Sequence, residues 1–148
     1  MIMKAYPDWF YPIILISLFT LVMTGLLLIP VTFIMRFEWD VLWKLNGGVR
    51  LFTVASHTLS SYLILMMVGA LSPIHMRAGI SRKKNKRSGF SLIAIFFTLT
   101  LTGLGLLYLA SNALILLASI VHVVIGIVLV VVFMVHFVKN KRIKKPPT

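Results

Sequence analysis

The chain has 148 residues, of which 59% are hydrophobic and only 12% charged, and its mean hydropathy is +1.01. This is the composition of a membrane protein and not of a soluble domain with a single core. Cysteine is absent, which excludes disulfides, thiolate metal sites, iron–sulfur clusters and covalently attached haem, so a redox role would need a cofactor held without covalent bonds. The net charge of +12 could suit nucleic acid, but six basic residues lie within Arg77–Arg87 and five within Lys139–Lys145, each cluster beside an apolar run. That is the pattern of positive-inside topology. Contact with membrane lipid, and not with nucleic acid, is the reading it supports.

Taken in order, Met1–Trp9 is an interfacial lead-in, with Tyr6, Trp9 and Tyr11 as belt aromatics. The first apolar run, about 10–35, is too long for a signal-peptide core and reads as a retained span. Pro12 suits its first turn and Pro30 is expected to kink its far end. A connector, Arg36–Gly48, mixes Arg36 and Lys44 with Glu38 and Asp40 and interleaves Trp39 and Trp43. It reads either as an aromatic belt or as a segment lying on the membrane surface or docking a partner. Gly47–Gly48 is expected to break the chain before a second span, about 49–76. The basic loop 77–88 precedes a third span, about 89–110. Ser111–Asn112 is a minimal turn, so the third and fourth spans are antiparallel neighbours. The fourth span covers about 113–138 and a basic tail fills 139–148. Both basic clusters fall on one side only with four spans. The expected fold is therefore an all-α membrane protein, a four-helix up-and-down bundle forming a single membrane domain with both termini cytoplasmic.

Four histidines stand out. His122 and His136 are fourteen residues apart on the fourth span and share a face, roughly 21 Å apart along the axis. His57 and His75 are eighteen apart on the second span and also share a face, roughly 27 Å apart. Histidine in hydrocarbon marks a functional site by default. Counted from the helix ends, His57 and His122 lie at one depth, roughly 13 Å below the outer boundary, while His75 and His136 lie near the cytoplasmic interface. Paired imidazoles from facing helices suit a six-coordinate haem iron, and a flat macrocycle needs small residues at its level. Gly25, Gly103 and Gly105 lie near the outer depth and Gly89 near the inner one. Thr24-Gly25-Leu26-Leu27 and Thr102-Gly103-Leu104 form a weak internal repeat, and Ser61 and Gly126 follow His57 and His122 at i+4.

The pattern His122-x3-Gly126 with His122-x13-His136, and a histidine at matched depth on the second span, resembles the four-helix di-haem cytochromes b. That group includes the membrane cytochrome subunits of respiratory hydrogenases and formate dehydrogenases and related small membrane cytochromes. The resemblance implies that His57, His75, His122 and His136 are axial ligands of haem b, in the pairs His57/His122 and His75/His136. Two haems are expected on this reading, or one if the inner pair fails. It also implies electron relay across the inner membrane between the quinone pool and an extracytoplasmic redox subunit, a cytochrome c, iron–sulfur or flavin protein, with no catalysis by the chain alone. Many relatives carry fourteen-residue spacings on both helices, whereas here the fourteenth residue after His57 is Leu71; tilt or a break at Pro73 would have to absorb the extra turn. Arg50 could reach a haem propionate or snorkel to headgroups. The bland alternative is a non-redox transporter or assembly subunit with structural histidines, and a third reading is a proton or metal site without porphyrin. All three acids, Asp8, Glu38 and Asp40, lie outside the spans, which counts against an ion transporter.

Overall fold

A computed structural model of the chain describes residues 6–41, 43–73 and 86–142. The described residues form four α-helices and no strand: α1 (Phe10–Phe37), α2 (Gly47–Leu71), α3 (Lys86–Tyr108) and α4 (Asn112–Arg142). All four contain windows long and apolar enough to cross a membrane, with mean hydropathies of 2.5, 1.6, 2.1 and 3.1. The 25 residues of α2 span roughly 37 Å at 1.5 Å per residue, more than the hydrocarbon core requires.

Local chemistry sets the helix ends. α1 runs unbroken through Pro30 and stops at Glu38, whose left-handed φ of 54° turns the chain. There the Glu38 N–H donates to the Phe33 carbonyl, and the Trp39 ring stacks on Phe33 at 5.4 Å. Gly47 and Gly48 do not break the chain ahead of α2: they form its first turn. Helix starts tolerate glycine because the first N–H groups have no intrahelical acceptor, and Asn46 supplies one, its Oδ1 accepting from the Val49 N–H at 2.9 Å. Asn46→Ala is expected to remove about 1 kcal/mol of stability, read as a lower midpoint of thermal unfolding in detergent. The turn between α3 and α4 is Leu109–Ser111, and Asn112 already belongs to α4.

The chain divides into two compact units, Met1–Pro73 and Ile74–Thr148. Each is a helical hairpin, α1 packed on α2 in the first and α3 on α4 in the second. Small or hydroxyl-bearing residues are buried together with aliphatic ones: Ser17, Thr53 and Ser60 with Leu18 and Ile64 in the first hairpin, Ala118 and Ser119 with Ile95 and Leu129 in the second. Small residues at helix–helix seams let backbones approach. Outside the seams the apolar side chains face outward, as with Phe52 at 74% exposure and Leu51 at 71%. A helix that is apolar all round needs an apolar surrounding, which for these four is lipid. Hydroxyls within the spans are satisfied inside their own helices: Thr32, Thr53, Thr98, Thr100 and Ser119 each donate to the carbonyl four residues back, at 2.7–3.3 Å.

Candidate functional site

In the first hairpin, His57 on α2 turns its ring toward α1. Its Nδ1 lies 3.1 Å from the Thr24 Oγ1. Its Cε1 lies over Gly25, 3.2 Å from where a Cβ would stand on that residue. Any side chain there would push the imidazole away, so glycine is needed for the ring to sit against the α1 backbone.

The second hairpin repeats this arrangement. The His122 Nδ1 on α4 lies 2.9 Å from the Thr102 Oγ1 on α3. The His122 Cε1 lies 3.5 Å from a Cβ position on Gly103, an ordinary contact distance. Thr24 and His57 are 33 residues apart and Thr102 and His122 only 20. The two hairpins have different connectors, so equal loop length does not explain the match; a Thr-Gly pair on one helix meets a histidine on the next in both.

A third hydroxyl–imidazole contact joins the Ser88 Oγ to the His136 Nδ1 at 3.0 Å. Ser88 and Thr102 are fourteen residues apart on α3, as are His136 and His122 on α4. In antiparallel helices these are two rungs of one ladder, roughly 21 Å apart. The same register in the first hairpin gives Phe10 and Leu71 in place of Ser88 and His136. Phe10 is buried and stacks on Tyr6 at 4.6 Å, and the Tyr6 hydroxyl donates to the Ala70 carbonyl at 3.1 Å. This rung of the first hairpin is apolar and closed by an aromatic pair.

Of the remaining candidates, His75 lies outside the described residues. Gly105 packs against the seam and not against a histidine: a Cβ there would meet Leu109 at 3.1 Å and the Ala118 Cβ at 3.6 Å. Gly89 and Gly126 face open space, with nothing within 4 Å of an added Cβ. Arg50 is exposed, two turns before His57. Sequence reasoning passed over Thr24, Thr102 and Ser88 as site residues. The Thr-Gly repeat and the equal fourteen-residue spacings on α3 and α4 were the signals that could have found them.

The three hydroxyl–imidazole contacts lie in helices that are otherwise apolar, and the described residues include no cluster of three or more histidine, cysteine or acidic side chains that could hold a metal ion. Imidazole nitrogen is the donor type that these contacts position. It suits a site where most ligand atoms come from a macrocycle and the protein adds only axial nitrogens. No protein-family model matches the chain, and searches of curated proteins and of solved structures return no significant match.

Proposed function

We propose that this chain is a di-haem b-type cytochrome, an electron-transfer subunit that carries electrons across the inner membrane between an extracytoplasmic redox partner and the quinone pool. The observation that supports it best is the repetition of one arrangement, Thr-Gly against histidine, in both hairpins within apolar helices. The Thr-Gly repeat places an imidazole in the same surroundings in each hairpin. Two equivalent imidazoles are what bis-histidine ligation requires.

On this reading His57 and His122 serve as one axial pair, and His136 pairs with His75 as the other. Haem b bound there supplies one-electron exchange between ferric and ferrous iron. The chain's own contribution is to hold the rings and to keep water away with its apolar helices. The three acids lie outside the spans, so the spans lack the carboxylates that ion carriers use.

Pyridine haemochrome quantitation on the purified full-length protein tests the reading. About two haems per chain are expected, with b-type bands in the reduced-minus-oxidised spectrum. Protein purified from haem-replete cells without porphyrin would refute it.

A further inference from the structure

The two threonines do more than fill the seam. Each Oγ1 touches three polar atoms at once: for Thr24, the Thr20 carbonyl at 2.6 Å, the Leu21 carbonyl at 3.2 Å and the His57 Nδ1 at 3.1 Å. For Thr102 they are the Thr98 carbonyl at 2.8 Å, the Leu99 carbonyl at 3.2 Å and the His122 Nδ1 at 2.9 Å. A hydroxyl has one proton. Two oxygens 2.6–2.8 Å apart without a proton between them would repel, whereas that separation is the usual one for O–H···O. The hydroxyl proton therefore goes to the carbonyl four residues back. What Oγ1 has left for the imidazole is a lone pair, so the ring must be the donor.

We infer that Thr24 and Thr102 are positioning residues that hold the proton of His57 and His122 on Nδ1, which makes Nε2 the nitrogen each ring presents to a ligand. Gly25 leaves the room that the His57 ring needs beside the hydroxyl, whereas a Cβ on Gly103 would stand in ordinary contact with the His122 ring. A neutral imidazole with its proton on the far nitrogen can coordinate without releasing a proton, and the threonine fixes the ring about its χ2 axis. Ser88 makes the third such contact with His136, and the inference does not extend to it. The ligand's identity as haem iron rests on the proposed function; the position of the proton does not.

The test uses full-length protein in lipid with histidine labelled by 15N, any bound iron being reduced to its diamagnetic low-spin state. The wild type is expected to show the His57 and His122 rings protonated on Nδ1. Thr24→Val, nearly isosteric and at ease in lipid, is expected to alter the Nδ1–H resonance of His57 alone, and Thr24→Ser to restore it. Thr102→Val is expected to do the same to His122 alone. In the haem-loaded protein each valine variant is expected to shift the midpoint potential of one b-type component and leave the other in place. A wild-type ring with its proton on Nε2, or Nδ1–H signals indifferent to both valines, would overturn the inference. Absence of porphyrin would refute the haem reading while the ring signals still decide this one.

Discussion

If the proposed reading holds, replacing His122 by alanine is expected to lower the haem content from about two per chain to about one, with loss of one b-type component from the reduced-minus-oxidised spectrum. The reason to expect a clean loss lies in what the substitution leaves behind. Thr102 keeps the Thr98 carbonyl as acceptor at 2.8 Å, so no hydroxyl proton is stranded in an apolar setting. The hydrogen bond removed is an interhelical one of the kind that averages about 0.6 kcal/mol in a bilayer, and truncating a half-buried ring adds roughly 1 kcal/mol of lost packing. A hairpin of two long apolar helices survives that. His136→Ala is expected to remove the other component, because its Ser88 contact lies a full fourteen residues along α3 from Thr102. Loss of both components from either single variant, with the protein still folded, would mean that the two histidines do not serve separate haems.

The glycines yield the second large effect, and they should not behave alike. A Cβ on Gly25 would stand 3.2 Å from the His57 Cε1, tighter than ordinary contact, whereas on Gly103 the distance to the His122 Cε1 is 3.5 Å. Gly103→Ala is therefore expected to fold within about 0.5 kcal/mol of the wild type, since helix propensity offsets what little strain arises. Gly25→Ala must displace the ring by a few tenths of an ångström and is expected to cost about 1 kcal/mol. Gly25→Leu leaves the ring no room and is expected to cost about 3 kcal/mol and, on the proposed reading, to abolish ligation by His57. Thermal unfolding in detergent and haem content measured side by side read both effects. Equal responses at positions 25 and 103 would reduce the two glycines to general packing notches.

Hydropathy and length sufficed to place four spans, because a helix apolar on every side has little else it can be. The boundaries moved where local hydrogen bonding took over from hydropathy. Asn46 pulled Gly47 and Gly48 into the start of α2, and the turn before α4 fell at Leu109–Ser111 instead of Ser111–Asn112. His57 and His122 were conspicuous as imidazoles deep in apolar spans. Their hydroxyl partners were not, since a threonine in an apolar helix ordinarily turns its proton back on its own backbone, as Thr32, Thr98 and Thr100 do. Nothing in Thr24 or Thr102 taken singly departs from that habit. Only when the neighbouring helix is laid alongside does the second lone pair find an imidazole. Glycines 25 and 103 were read by depth alone as room for a macrocycle, and the atoms that face them in the structure belong to the histidine of their own hairpin.

That each histidine is set by its own hairpin bears on how the protein is made. Thr24, Gly25 and His57 all precede Pro73 in the chain, so pairing of α1 with α2 is all that orienting the first imidazole requires. Thr102, Gly103 and His122 then form across a three-residue turn, the quickest kind of helix pairing to close. Orienting the rings is thus local to each half. On the proposed reading, the cofactor meets rings that their own hairpins already hold in place.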